Sequence, residues 1–363
     1  MAGAAGRAGL IGLAALAVGM GIGRFAFTPI LPMMQSEGLS LAAGGWLASA
    51  NYAGYLAGAL SARWLRGEHA IRAGLAATAV TTLAMALHAP LAAWLLLRGA
   101  AGVASAWLLI NVSTWCLQRG APGGPLYSGV GVGSAAAGLT CLALMQAGLG
   151  AEDAWIALGL AATLAAFVLW PSFHAGQADR SKIAERHYWS VHSVRLVLCY
   201  AAYGFGYIIP ATFLPAMARE AVSDPALFGW AWPVFGAAAA ASTLVASPLA
   251  RRLGDRRVWI AGHLVMALGV VAPLLWPGLG GIVLGAVCVG STFVVITMVA
   301  LQEGARAGGG ALIAAMTAGF ATGQIAGPAF VSLLAMAGGG LVQASYAACL
   351  LLLASAAALA GGR

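Results

Sequence analysis

Long apolar runs separated by short polar gaps recur along the whole chain. A bilayer core about 30 Å thick requires roughly 20 apolar residues per helix. Runs of that kind cover residues 8–34, 40–62, 71–88, 91–117, 124–148, 153–170, 196–217, 227–249, 258–276, 279–301, 309–336 and 341–360. The pattern predicts an all-α integral membrane protein with twelve transmembrane helices, which are called spans 1 to 12 below.

A longer polar stretch separates the sixth run from the seventh. Residues 171–193 carry charged and histidine side chains, namely Asp179, Arg180, Lys182, Glu185, Arg186, His187 and His192. This stretch predicts a cytoplasmic linker between an N-terminal six-helix bundle at residues 1–170 and a C-terminal six-helix bundle at residues 194–363.

The two halves repeat one another in sequence. Five residues of span 1 recur 183 positions later in span 7, where Gly204, Gly206, Leu214, Pro215 and Met217 match Gly21, Gly23, Leu31, Pro32 and Met34, and Tyr207 takes the position of Arg24. At an offset of 190, Gly319 and Gly323 of span 11 match Gly129 and Gly133 of span 5. Glycines at this spacing most often pack helices closely. A six-plus-six repeat is typical of transporters that rock two bundles around a central site.

Composition and charge agree with a membrane protein. Hydrophobic residues make up 61% of the 363 positions and charged residues 8%, whereas soluble domains have about 25% charged residues. Most of the 18 basic residues lie at the termini or in the gaps after even-numbered spans, namely Arg7, Arg63, Arg66, Arg72, Arg119, Arg180, Lys182, Arg186, Arg195, Arg251, Arg252, Arg256, Arg257, Arg306 and Arg363. Because basic loops stay in the cytoplasm, we expect both termini and the linker there, and the chain in the bacterial inner membrane.

Several classes of partner are not expected. The net charge of +8 is spread over short loops rather than gathered in one patch, so we expect no nucleic acid. The five cysteines lie inside apolar runs, without the spacing of a disulfide framework or a zinc site. We therefore expect no metal and no cofactor. The expected partners are the lipid bilayer and a small molecule, and the protein is expected to be a monomer.

Short motifs lie in two equivalent loops and in two of the spans. The loop after span 8 reads Leu-Ala-Arg-Arg-Leu-Gly-Asp-Arg-Arg at 249–257, and the loop after span 2 reads Gly-Ala-Leu-Ser-Ala-Arg-Trp-Leu-Arg at 58–66. Span 4 contains Arg-Gly-Ala-Ala-Gly-Val-Ala-Ser at 98–105, and span 11 contains Gly-Gln-Ile-Ala-Gly-Pro at 323–328. Three more distinctive phrases lie at 21–29, 51–55 and 204–215.

These motifs resemble the signatures of the major facilitator superfamily (MFS), and the three phrases are similar to its YbfB/YjiJ-type branch. The resemblance covers essentially the whole chain and implies two pseudo-symmetric bundles around a cavity lined by spans 1, 2, 4, 5, 7, 8, 10 and 11. It implies gating roles for Arg63, Arg66, Arg252, Gly254, Asp255 and Arg256. Ala62 and Arg251 stand where the family has the Asp that helps to latch the cytoplasmic gate. The Gly–Pro signature usually lies in span 5 of antiporters, and its position in span 11 argues against that class.

Two arginines, Arg24 and Arg98, lie deep in apolar runs. An ionised group in the membrane costs at least about 2.5 kcal/mol on insertion scales, so each is expected to face a cavity or a partner. No acidic residue lies in the core of a predicted span. The arginines therefore predict a positive cavity for an organic anion, since the planar guanidinium binds oxyanions through two parallel hydrogen bonds. A purely structural role stays open for both.

Polar and aromatic side chains on other spans could complete the pocket. Helical spacing places Tyr200, Tyr203 and Tyr207 on one face of span 7. The candidate substrate-binding set is Arg24, Thr28, Asn51, Tyr55, Arg98, Tyr203, Tyr207 and Gln324. Helix–helix contact is the alternative role for each of them. His88 and His263 lie near span ends, where an interfacial position is expected rather than a role in proton transfer.

Four function classes follow from these features. The favoured one is a secondary transporter that moves a small solute, an organic anion, by alternating access. An exporter of amphipathic or drug-like compounds is the alternative within transport. A transporter-like scaffold or sensor without transport is the alternative outside it. A membrane enzyme is not expected, because no reactive cluster of histidine and carboxylates occurs at a membrane edge.

Overall fold

Helices form all the regular structure in the described part of the chain. The computed structural model describes residues 2–62, 64–65, 67–121, 123–173, 189–222 and 224–361. In chain order the helices are α1 Ala2–Leu16, α2 Phe27–Ser36, α3 Leu41–Ser61, α4 Gly67–Ala84, α5 Leu91–Gln118, α6 Gly123–Gln146, α7 Ala151–Leu169, α8 Val191–Ala221, α9 Pro225–Phe228, α10 Ala231–Leu253, α11 Asp255–Leu275, α12 Leu279–Met336 and α13 Leu341–Ala360. A π-helical segment, Ala17–Ile22, follows α1, and a 3₁₀ turn, Trp170–Ser172, follows α7. The prediction of an all-α protein is confirmed.

The apolar runs of the sequence fall on these helices, and most of the predicted ends are within a few residues. Ten helical segments in the described ranges are long and apolar enough to cross a membrane. Helices α3 and α4 are not among the ten, since α3 carries Asn51 and serines, and α4 carries Glu68, His69 and Arg72. The number of twelve spans therefore stays a prediction.

The first run forms one apolar segment, as its pattern predicts, but the helix within it is interrupted. It consists of α1, the π-helical segment, a turn at residues 23–26 and α2. Gly23 N–H donates to the carbonyl of Val18 at 3.0 Å, five residues back rather than four. Pro29 has no N–H to offer the carbonyl of Phe25, which accepts from Thr28 N–H at 3.1 Å instead. The segment Ala5–Ser36 is long and apolar enough to cross a membrane, as predicted for the first span, but its glycines and Pro29 interrupt the regular α-helix within it.

Helix α12 contains two predicted spans joined at a sharp bend. Gly308 and Gly309 have non-helical backbone angles, and Gly309 has a φ of 58°, a conformation that glycine adopts without steric cost. The bend divides the helix into a first segment, Leu279–Gly309, and a second segment, Ala311–Met336. Both segments correspond to runs that the sequence separates.

Glycines bring α6 against the first run, and α12 against α8, at backbone distance. A Cβ atom at Gly129 or Gly133 would meet the carbonyl oxygens of Leu13 and Ala17. In the second half, a Cβ at Gly323 would meet the carbonyl oxygen of Ala201 on α8. These glycines are close-packing positions between helices, as their spacing predicts.

The helix ends lie at two levels. At one level, called the terminal end, Cys116 Sγ of α5 lies 3.3 Å from the carbonyl oxygen of Ala8, and Arg256 of α11 donates to the carbonyl of Leu359. At the other level, called the opposite end, Ser332 of α12 donates to the carbonyl of Ala42 at 2.9 Å. The helix ends around the Cys116 and Arg256 contacts, which include both described chain ends, are together called the terminal end.

Candidate functional site

The turn at residues 23–26 exposes backbone carbonyls in the middle of the protein, and Arg98 binds two of them. Its Nη1 donates to the carbonyl of Gly23 at 3.4 Å and its Nη2 to that of Arg24 at 3.1 Å. Its guanidinium carbon lies 4.9 Å from the ring centroid of Phe27. Arg98 is buried, and it acts as a brace for the interrupted first run.

Asn51 of α3 supports the same turn. Its Nδ2 donates to the carbonyl of Arg98 at 2.9 Å and lies 3.4 Å from that of Gly23. Helix α3 can approach α5 this closely because Gly54 and Gly102 have no Cβ atom. A Cβ at either position would strike the backbone of the other helix. Asn51 and Arg98 therefore both stabilise the turn at residues 23–26, which is called the break below.

Arg24 lies on the turn itself and has different surroundings. Its side chain is buried, with 3% of its surface exposed, and its guanidinium carbon lies 3.9 Å from the ring centroid of Tyr55 and 5.0 Å from that of Tyr52. In the described part of the chain, Nε and Nη1 have no hydrogen-bond partner. No carboxylate forms a described ion pair with Arg24. Unpaired charge at this depth is costly.

Helices of the second half supply the facing wall. The hydroxyl of Tyr207 on α8 interacts with the guanidinium of Arg24 and accepts a hydrogen bond from Gln324 Nε2 at 2.5 Å. Tyr203, one turn earlier, donates to the carbonyl of Phe293 at 2.5 Å. The structure therefore brings Arg24, Tyr55, Tyr207 and Gln324 together.

A stack of aromatic rings extends from Arg24 into the second half. Tyr207 stacks on Phe293 with ring centroids 5.8 Å apart, and on Phe320 at 5.7 Å. Tyr203 stacks on Tyr207 at 5.1 Å. The two phenylalanines could not be predicted as site residues, since an isolated Phe in an apolar span has no pattern that separates it from lipid-facing residues.

Two residues beside Arg24 join the halves instead of facing its free nitrogens. Thr28 donates through Oγ1 to the carbonyl of Ala211 at 2.9 Å, and Tyr52 shares a 3.0 Å hydrogen bond with Thr212. Positions 28 and 211 differ by 183, the offset of the sequence repeat. Tyr52 was missed in the sequence analysis, although its position three residues before Tyr55 on α3 was a usable signal.

His263 is not interfacial, which corrects the expectation from the sequence. Its side chain is fully buried, and its Nε2 accepts from Trp259 Nε1 at 3.1 Å. The ring of Tyr203 lies 6.1 Å from it. Position near a span end did not predict this burial, because neighbouring helices cover that part of α11.

The predicted gating loop of the second half is built around Asp255. Gly254 has a φ of 82° and lets the chain turn directly into α11, whose first residue is Asp255. This carboxylate forms an ion pair with Arg306, which also pairs with Glu303 at 2.9 Å. Arg252 is exposed. Arg63 and Arg66, of the equivalent loop in the first half, lie outside the described residues.

Metal ligands do not cluster in the described ranges. No group of three or more His, Cys, Asp or Glu side chains there is placed to hold a metal ion. The chemistry that the described site offers is hydrogen bonding, charge and aromatic contact around Arg24.

Comparisons with known proteins agree on one family and fold. The family model described as "Uncharacterised MFS-type transporter YbfB" matches residues 16–360. No curated protein matches the sequence. A solved bacterial homolog of the human lysosomal transporter Spinster, inward-facing and unoccupied, is 16% identical with a TM-score of 0.72, over 97% of this chain and 95% of that one. Its inward-facing occupied form is 15% identical with a TM-score of 0.72, over 96% of this chain and 95% of that one.

Proposed function

The chain belongs to the YbfB-type family of MFS transporters, and we propose that it moves a small organic anion by alternating access, with Arg24 as the anion-binding residue. Family membership makes it a multi-pass membrane transporter with a small-molecule substrate, not an enzyme. The observation that supports an anionic substrate is the buried guanidinium of Arg24, two of whose nitrogens lack described partners.

Twelve spans in two six-helix bundles, at residues 1–170 and 194–363, are the architecture that we propose. Helices α3 and α4 have 21 and 18 residues, which at 1.5 Å per residue is close to the thickness of a bilayer core. The same kind of glycine contact holds α6 to the first run and α12 to α8. The hydrogen bond between positions 28 and 211 fits a pseudo-twofold axis between the halves.

The terminal end is proposed to face the cytoplasm, in the bacterial inner membrane. The support is the distribution of basic residues, most of which lie in loops of that end or at the termini. Acidic residues Glu37, Glu152 and Asp153 lie at the opposite end instead.

Cross-half hydrogen bonds at the opposite end support an inward-facing state. Besides the bonds of Thr28 and Tyr52, Ser49 donates to the carbonyl of Ile325 at 3.1 Å and Arg219 to that of Pro32 at 2.9 Å. Breaking this set would open the site to the outside. The Asp255–Arg306 ion pair at the terminal end is the proposed gating contact of the second half, with Gly254 and Arg256 shaping its loop.

The aromatic stack favours one second candidate, the export of amphipathic, drug-like compounds. Tyr203, Tyr207, Phe293 and Phe320 would bind a flat apolar group. The two functions differ in their dependence on charge, because a neutral compound gains nothing from a guanidinium. We propose a monomer in either case, since one chain supplies every residue of the site.

A transport assay with substituted arginines separates these functions. Purified protein in liposomes is tested for exchange of labelled carboxylates, organic phosphates and sulfonates, and of neutral and cationic dyes. Arg24→Ala should abolish exchange of the anions, whereas the matched control Arg257→Ala, at an exposed arginine of the terminal end, should not. Unchanged exchange of every anion in Arg24→Ala contradicts the proposal, and dye exchange that survives this change supports the exporter.

A further inference from the structure

We propose that the first half binds an anionic phospholipid at the terminal end, with its phosphate between Arg7 and Arg119 and an acyl chain between α4 and α7. The proposed site is separate from Arg24 and depends on the membrane location of the protein, not on its substrate. Two adjoining pockets carry the inference, one basic and one apolar.

The basic pocket has a volume of about 470 Å³ and lies where α1, α5 and the turn after α7 meet. Arg7 and Arg119 line it together with Trp115 and Ser172. The Arg119 guanidinium carbon lies 4.0 Å from the ring centroid of Trp115, and its Nη1 donates to the carbonyl of the same residue at 3.2 Å. The pocket therefore combines two cations with a polar aromatic residue at a helix end.

Trp115 adds an observation that points to a ligand. Its side chain is 7% exposed, and its indole Nε1 has no hydrogen-bond partner among the described residues. A buried N–H donor without an acceptor is uncommon and costs free energy. Trp115 lies at the wall of the same pocket, and a small shift of its ring toward the pocket would let an oxygen of a bound phosphate accept from Nε1.

Arg119 differs from its counterpart in the second half, because it has no carboxylate partner in the described ranges. Arg119 stands 187 residues before Arg306, the offset that also relates Gly67 to Gly254, and both glycines have positive φ. In the second half Asp255 and Glu303 neutralise Arg306. Neither Arg7 nor Arg119 forms an ion pair with a carboxylate in the described ranges.

The apolar pocket identifies the rest of the ligand. It is a groove of about 640 Å³ along α4 and α7, lined at one end by Trp170 and Pro171 and further along by Val80, Leu83 and Phe167. Pro171 lines both pockets. Val80 and Phe167 are 64% and 79% exposed, as expected for side chains that contact acyl chains. A headgroup pocket that continues into a lipid-facing groove fits a phospholipid better than a free anion.

Arg72 places a third cation at the junction. Its guanidinium carbon lies 5.3 Å from the ring centroid of Trp170, and its Nη2 is 3.4 Å from the carbonyl of that residue. Tryptophans are enriched where headgroups meet acyl chains, so the junction lies at the depth where a lipid phosphate is found.

Lipid binding to the whole protein tests the proposal. Purified protein is titrated with phosphatidylglycerol or phosphatidylcholine, and retained lipid is counted by native mass spectrometry. The double variant Arg7→Gln, Arg119→Gln should bind phosphatidylglycerol about 10- to 30-fold more weakly than the wild type, since each basic residue near a membrane surface contributes roughly a tenfold or smaller factor. The matched variant Arg251→Gln, Arg257→Gln removes equal charge from the second half and should bind like the wild type.

A second pair of variants tests the groove. Val80→Trp fills it and should weaken phosphatidylglycerol binding several-fold, whereas Leu96→Trp, at another exposed position, should not. Equal loss in both arginine pairs means general charge attraction and overturns the proposal. Inorganic phosphate that stabilises the protein as strongly as the lipid, in an Arg119-dependent way, means a free-anion site and also overturns it. Anion transport that depends on Arg24 is measured independently, so either proposal can fail alone.

Discussion

Arg24 and Arg98 are neighbours at one break in the first run, but their guanidinium groups have different surroundings. Arg98 donates through both terminal nitrogens to the carbonyls of Gly23 and Arg24, and among the described residues only its Nε has no partner, whereas both Nε and Nη1 of Arg24 have none. Both are buried cations in a membrane protein. Under the proposed function, the charge of Arg98 stabilises the fold and the charge of Arg24 binds the substrate.

The largest expected effect is the loss of anion binding in Arg24→Gln. Removing one member of a buried charge pair costs about 2–5 kcal/mol in affinity, which is roughly 30-fold or more. Isothermal titration with the anion that the transport assay identifies measures it. The anion affinity of Arg24→Lys should lie between those of the wild type and Arg24→Gln, because lysine keeps the charge but lacks the planar guanidinium. Wild-type affinity in Arg24→Gln would show that the charge of Arg24 does not bind the anion.

Arg98→Gln should reverse this pattern. It leaves buried carbonyls without donors, at about 1–3 kcal/mol for each group, so the thermal unfolding temperature should drop while the remaining folded protein still binds the anion. Asn51→Leu should lower the unfolding temperature less than Arg98→Gln does. In the double variant the two losses should not add, since both side chains approach the carbonyl of Gly23. Additive losses would mean that the two residues do not share the brace.

Gly133→Ala tests whether close packing maintains the break. Its Cβ would strike the carbonyl of Ala17, and overpacking of this kind costs about 1–3 kcal/mol. Stability and anion affinity should both fall, as measured by thermal unfolding and titration. The control Gly6→Ala has no neighbour within 4 Å and should leave both unchanged or raise stability slightly. Equal stability in the two variants would mean that α6 does not hold the break.

The smallest effect concerns Thr28, which faces the other half rather than either arginine. Thr28→Val removes one cross-half hydrogen bond, a contribution of about 1 kcal/mol, and should shift the population about fivefold toward states that are open at the opposite end. Distance distributions between spin labels at Ser36 and Ala221 report this shift. An unchanged distribution would remove Thr28 from the gate.

The positions of the helices could be predicted from the sequence because a bilayer demands long apolar runs, and these are visible residue by residue. The break at Gly23 could not, since it lies inside such a run and interrupts no apolar pattern. The roles of Arg24 and Arg98 could not be separated either, because they depend on which carbonyls the break frees. Likewise, the burial of His263 and the ring stack of Phe293 and Phe320 arise from helices far apart in sequence.

Ligand-dependent thermal stabilisation of three proteins tests the central claim most directly. Wild type, Arg24→Gln and Arg98→Gln are each unfolded with a panel of carboxylates, organic phosphates, sulfonates, and neutral and cationic dyes, since a ligand that binds the native state raises the unfolding temperature. We predict that anions stabilise the wild type and Arg98→Gln and have no effect on Arg24→Gln. Anion stabilisation that persists in Arg24→Gln and disappears in Arg98→Gln would contradict the account.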